Sequence, residues 1–489
     1  MRDAMLSSPI GRPQAPFRRW KSAKSVTLLR VGFVPLPGFG FDRSRVMENC
    51  RAARWIALAF CALAAIATCG CSSGDSNDNG AGSEIGVGYL VYANDISATK
   101  AQAAQVAAAL REINDAGGLS IDGVNRHFAL YTEDHGGTPA GAVAALERFA
   151  SRGVKFVIGP PWSSLVLGSS PDHSDGAIAA ALRLRTLMVS GAASASAITD
   201  LDDDQLMWRT IPSDSFQAGL GAKYVHDTAG LARAAIIHRN EAWGVGLADT
   251  FTTDFEAAGG TITARIGYDL QGDLQTRDYH KELDAVFAGK PDAVYLLNFG
   301  ECFAILNQMV EGGYLANYAD GAPLLFGTDG TFTEDILSNV SGVALGRMKG
   351  TSPYADSSSE NFQSFVQSLA QAGLGAPKNQ DANRYDAVYV LALAMQRANS
   401  TDPDKVKTEL QAVSRNDPGD LTVNVGEWQK GRSAIESGKG VNYEGASGPI
   451  EFSDQGDPTV GYFVIWRPAI DGTGAYYFDL SEIAKFQSQ

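Results

Sequence analysis

The sequence predicts an α/β protein of two doubly wound parallel sheets, and three observations point there. From Glu84 onward, short apolar segments alternate with longer helical ones, the βαβ pattern of a parallel sheet. Segments such as Lys155-Phe156-Val157-Ile158 and Leu187-Met188-Val189 are continuously apolar, as strands covered on both faces should be. The alternation then starts afresh after Met207-Trp208-Arg209-Thr210, so two halves with the same wiring are expected.

In the first series, Ile85–Tyr92 reads as a strand, and Lys100–Asp115 as an alanine-rich helix stopped by Gly117-Gly118. His127–Thr132 is a strand, Ala140–Ser151 a helix, and Val154–Ile158 and Thr186–Val189 are strands. The second series opens on a helix, Phe216–Thr228. Ala234–His238, Thr261–Tyr268, Ala293–Leu297 and Leu324–Phe326 read as strands, separated by helices at about 245–258, Asp278–Phe287 and Cys302–Gly312. Two helices follow, Glu360–Ala372 and Asp386–Ala398. Residues 414–446 read as an extra loop, and Gly448–Phe452 with Gly461–Arg467 as hairpin strands.

The chain of 489 residues starts unevenly. Residues 1–46, rich in Arg, Pro and Gly, read as an upstream extension from a start codon called too early. Residues 47–70 form an export signal, with arginines at 51 and 54 and an apolar stretch, Trp55 to Thr68, too short to span a bilayer. The signal ends in Thr68-Cys69-Gly70-Cys71-Ser72-Ser73, which resembles the lipobox of bacterial lipoproteins. Cys71 is then the acylated residue, with Cys69 as the alternative, and residues 71–83 are a flexible tether reaching about 20 Å. Of five cysteines only Cys302 lies in the body, so no disulfide framework is expected, and Cys302 reads as a small buried side chain. Without residues 1–70 the chain carries 29 basic and 52 acidic residues, a net of −23, which disfavours nucleic acid as a partner.

Two apolar strands run into serine-bearing loops, Gly159-Pro160-Pro161-Trp162-Ser163-Ser164 and Ser190-Gly191-Ala192-Ala193-Ser194. Ligands of open α/β sheets sit beyond the carboxyl ends of the strands. Hydroxyls and backbone N–H groups at a helix start suit an anionic head group. There is no Gly-x-Ser-x-Gly elbow and no His-Glu-x-x-His, and the six histidines make no pair at metal-ligand spacing. Asp202-Asp203-Asp204 reads as a solvated acidic turn. No metal, cofactor or enzymatic activity is expected.

The body resembles the periplasmic leucine/isoleucine/valine-binding proteins, solute receptors of branched-chain amino-acid ABC importers. The likeness rests on Ile113-Asn114-Asp115-Ala116-Gly117-Gly118, Phe156-Val157-Ile158-Gly159, Arg384-Tyr385-Asp386-Ala387-Val388-Tyr389 and Tyr443-Glu444-Gly445-Ala446-Ser447-Gly448-Pro449, in that order. It implies a clamshell of the type I periplasmic-binding-protein kind, with three hinge crossings. One lobe would hold 84–210 and 352–447, the other 211–351 and 448–489. It places an amino acid's carboxylate on Ser163, beside Ser164, and on the Ala192-Ala193-Ser194 loop. The ammonium falls on Asp329, and covering aromatics fall on Trp243 and near Phe299. The family's disulfide positions fall near His135 and on Trp162, so that clamp is missing and Trp162 either packs under the loop or enters the site. The implied protein is a monomeric, lipid-anchored receptor on the periplasmic face that docks on a membrane permease. A sensor feeding a signalling partner is the alternative. An envelope hydrolase is a third, and would need a histidine within reach of Ser163, Ser164 or Cys302.

Overall fold

The computed structural model describes residues 84–487. Cys71, the signal and the tether lie outside the described residues. One six-stranded sheet holds β1 (Glu84–Val91), β2 (Leu119–Ile121), β3 (Val124–Asp134), β4 (Phe156–Ile158), β5 (Leu187–Ser190) and β6 (Met207–Arg209), in the order β2-β3-β1-β4-β5-β6. All its pairings are parallel except β2 with β3. The second sheet contains β7 (Arg233–Arg239), β8 (Thr261–Tyr268), β9 (Ala293–Leu297), β10 (Leu324–Gly327) and β11 (Met348–Pro353), all parallel. A small third sheet is made by β12 (Leu421–Asn424), β13 (Val441–Gly445) and β14 (Gly448–Pro449). The antiparallel hairpin β15 (Val460–Ile470) and β16 (Tyr476–Gln487) then extends the second sheet beside β11.

The continuous apolar strands are buried throughout, β4, β5 and β9 along their full length. Helices cover both faces of each sheet. On the first, Val87, Ile158 and Val189 pack against the helix Asp381–Ala398, while Leu90, Val157 and Met188 pack against the helices Pro139–Ser151 and Ala177–Leu184. The helix Asp381–Ala398 is buried on every side from Asp381 to Gln396, which explains why it shows little amphipathic period. It starts five residues before the expected Asp386.

Three expectations are corrected. Residues 414–446 are no loop: they carry β12, the helix Trp428–Glu436 and β13, and Val423, Trp428 and Tyr443 join the first core. Gly448-Pro449 does not pair with residues 461–467. It turns back on β13, and the true hairpin is β15 with β16. Finally, β6 and β11 went unread. β11 is Met-Lys-Gly-Thr-Ser-Pro, polar for a buried strand, because Gly327 and Gly350 lie under the Trp466 ring. A Cβ at Gly350 would stand 2.2 Å from that ring.

The chain passes between the two large sheets three times: from β6 to β7, from β11 to the helix Glu360–Gln371, and from β14 to β15. Both sheets reverse strand order, at β1/β4 and at β7/β9. The short helix that follows β4 contacts the helix Ala242–Ala257 that follows β7, so the two switch points meet.

Candidate functional site

The first wall is stitched by two serines. Ser163 opens a short helix after β4, and its Oγ accepts from the Ala195 N–H at 3.0 Å. Ser190 Oγ donates to the Pro160 carbonyl at 2.7 Å and accepts from the N–H groups of Ala193 (3.0 Å) and Ala192 (3.2 Å). Ser163 therefore keeps its hydroxyl proton to donate, whereas Ala193 is fully buried with its N–H engaged. Ala192 and Ser164 are partly exposed. Behind the loop, Arg209 at the end of β6 holds the Ala195 carbonyl at 2.8 Å and pairs with Asp457 of the third crossing at 2.5 Å.

Residues that follow the adjacent strands β1, β3 and β4 bring three rings together. Tyr92 stacks on His135 (centroids 5.4 Å), and Trp162 meets His135 edge-on at 4.8 Å and Tyr92 at 5.2 Å. A ring contact thus joins His135 and Trp162, the places where the resemblance puts a disulfide. Trp162 packs beside the loop and keeps 36% of its surface exposed. His135 Nδ1 accepts from the Gly137 N–H, so the neutral ring carries its proton on Nε2. Burial pushes this histidine down to about 4. No hydrogen bond links a histidine to Ser163 among the described residues; that hydroxyl's partner is Ala195.

On the second wall, Asp329 opens a turn after β10. Its Oδ1 accepts from Gln217 Nε2 at 3.0 Å and its Oδ2 from Gln380 Nε2 at 3.2 Å. Trp243 sits in the first turn of the helix Ala242–Ala257, where the Glu241 carboxylate caps the N–H groups of Trp243 and Gly244, both at 3.0 Å. Phe299 stacks on Trp243 with centroids 4.5 Å apart, and the Arg239 guanidinium lies 4.6 Å from the Phe299 centroid. Gly330 is what lets these rings reach the acid: a Cβ there would stand 2.8 Å from Phe299 and 2.9 Å from Trp243. Asp329, Trp243 and Phe299 are therefore one cluster.

Sequence reasoning missed Asp214, Gln217 and Gln380. Asp214 is the first residue of the helix Asp214–Lys223, and its N–H donates to the Ser194 carbonyl of the first wall at 2.8 Å. It is 1% exposed, and neither carboxylate oxygen makes a hydrogen bond of full geometry. Burial, then the nearby Asp329 charge, hold its carboxyl well above the ordinary range; Ser194 and Arg209 oppose this without reversing it. Burial likewise raises Asp329, to about 6. Around them Asn298, Thr328 and Thr351 also present buried side-chain polar atoms without partners. The helix expected from Phe216 starts two residues earlier, at Asp214, and Ser213 caps it, a local role that gives the acid no distinguishing signal in the sequence.

The two walls touch. Gln380, from the cap of the first core's long helix, bonds Asp329; Ser194 bonds Asp214; and Ala242 packs against the first sheet's core. Paired acids on one side and a hydroxyl-bearing loop on the other can grip the two ends of a zwitterion.

A fold of two parallel-sheet lobes around such a gap defines a solute-binding protein. The chain belongs to the periplasmic binding protein family, whose model matches residues 84–457. A leucine/isoleucine/valine-binding protein homologue of Brucella suis is 26% identical over 345 residues, covering 66% of this chain and 84% of the relative. The leucine-, isoleucine-, valine-, threonine- and alanine-binding protein of Pseudomonas aeruginosa is 27% identical over 333 residues, covering 66% and 79%. Among solved structures, the leucine-binding protein LivK of Thermotoga maritima superposes with a TM-score of 0.62 at 19% identity, covering 83% of this chain and 99% of that one. A solute-binding protein of R. palustris in complex with 4-hydroxybenzoate gives 0.63 at 18% identity, covering 83% and 98%.

Proposed function

We propose that the protein is an extracytoplasmic receptor that captures an amino acid, or a zwitterion of similar size, and delivers it to the membrane permease of an ABC importer. The observation that carries this reading is the pair Asp214 and Asp329 opposite the Ser163 and Ser194 loops. Burial and the nearby Asp329 charge hold the Asp214 carboxyl well above the ordinary range, and burial raises Asp329 as well, so an ammonium placed beside them offsets part of that penalty. Ser163 and Ser164 hydroxyls, with the exposed side of the Ala192–Ser194 loop, take the carboxylate without a buried cation. Trp243 and Phe299 cover the ligand beside Asp329, and an aromatic face also attracts an ammonium.

The three crossings act as a hinge: open forms sample closure, and contacts to both walls shift the population. The division into lobes at 84–210 with 352–447 and 211–351 with 448–489, the monomeric state and the lipid on Cys71 are parts of the same proposal. Metabolic labelling with palmitate should mark the wild type and leave Cys71→Ser unmarked.

Relatives of this fold take both amino acids and aromatic acids without an amine, and the acid pair argues for the amine here. The test is a thermal-shift screen of amino acids against benzoate-type acids. Amino acids should raise the melting temperature in proportion to concentration. A rise with benzoates alone would overturn the reading.

A further inference from the structure

Gln380 immediately precedes the helix Asp381–Ala398, which packs beside the first sheet, yet its amide reaches an acid carried by the second. It does so from a left-handed backbone, φ +67°, a conformation uncommon for a residue with a side chain. The amide is also oriented. Its Oε1 accepts from Arg384 Nη2 at 3.3 Å, while its Nε2 donates to Asp329. A guanidinium only donates and a carboxylate only accepts, so the reversed amide would fail at both ends. Arg384 is fixed in turn: it is 6% exposed, and Nη1 bonds Asp381 Oδ1 at 3.0 Å. Asp381 Oδ2 accepts from Gln105 Nε2 at 2.7 Å and the Lys378 N–H at 2.6 Å. A continuous relay, Asp381–Arg384–Gln380–Asp329, therefore spans the gap.

We propose that Gln380 is a positioning residue of the ligand site: it joins Asp329 from the opposite wall, turns that carboxylate toward the incoming ammonium and biases the two walls toward contact. Gln217 holds the other oxygen from the second wall's own side, so Asp329 stands between two amides. The charged and titratable groups around this point are Asp214 on the helix Asp214–Lys223, Glu241 at the cap of the Trp243 helix, Tyr295 on β9, and Arg384 behind Gln380. Both amides donate to the ionised acid. Losing one makes that form harder to keep.

The test compares Gln380→Met, of similar length without a donor, and Gln380→Glu, an acceptor facing an acid, with Asn361→Ala. The control removes the bond from Asn361 Nδ2 to the Glu444 carbonyl (3.0 Å), which lies within the first core's side, and leaves Asp329 untouched. Small-angle scattering without added amino acid should give a larger radius of gyration for both Gln380 variants and an unchanged one for the control. The second readout rests on the zwitterion reading. It uses the member of the twenty protein amino acids that gives the largest thermal shift. Its affinity should fall about tenfold in Gln380→Met, and the acid limb of its pH profile should move up by about one unit. Wild-type radii of gyration in both Gln380 variants would overturn the proposal, as would wild-type affinity with an unmoved acid limb. If none of the twenty shifts the wild type, the zwitterion reading falls, while the scattering comparison still decides the role of Gln380.

Discussion

At the scale of single residues, the two acids set the expected behaviour. Replacing Asp329 by Ala should lower amino-acid affinity by about a hundredfold or more, since a charge-assisted contact is lost; calorimetry with an unchanged melting temperature of the free protein would locate the loss in the site. The pH dependence follows from the raised carboxyl of Asp329, about 6 before an ammonium arrives. An ammonium favours the ionised form and lowers that value, so binding expels a proton wherever Asp329 holds one. Affinity should be full above about pH 6 and fall below it, by at most about tenfold per unit for one proton. Calorimetry in buffers of different ionisation heat should detect that proton at pH 5.5. Gly330→Ala should cost affinity too, because the added carbon collides with Phe299 and Trp243. Asp329 was singled out by the family resemblance, and its place in a turn after an apolar strand agrees with that reading. Its neighbour Asp214 was not, because an acid at a helix start has an ordinary local explanation, and only the fold shows what faces it.

At the scale of elements, the loop after β5 depends on Arg209. The guanidinium is fully buried between Asp457, Thr199 and the Ala195 carbonyl, and so ties the loop to the third crossing. Arg209→Met leaves Asp457 buried without its partner and should destabilise the protein by about 3–5 kcal/mol, read as a lower urea midpoint. The same comparison explains which elements could be foreseen. Apolar strands such as β9 declare themselves through composition, and Ala293–Leu297 and Thr261–Tyr268 match their expected bounds. β6 has three residues and ends in an arginine, and β11 is built of small and polar residues that make room for Trp466, so neither carries a strand's signature. Residues 414–446 look like a loop because their short strands and one amphipathic helix borrow burial from the first core.

For the whole molecule, the proposed hinge closure predicts that amino-acid binding reduces the radius of gyration. The ring cluster of Tyr92, His135 and Trp162 has a consequence for how such a protein can be made. Where the resemblance puts a covalent clamp on the serine loop, this chain uses aromatic contacts, and Cys302, the cysteine of the described residues, is buried and unpaired. Maturation of the loop then needs no oxidase, and dithiothreitol should leave affinity unaltered. A form starting at Glu84 and produced in a reducing cytosol should bind as tightly as one made under oxidising conditions.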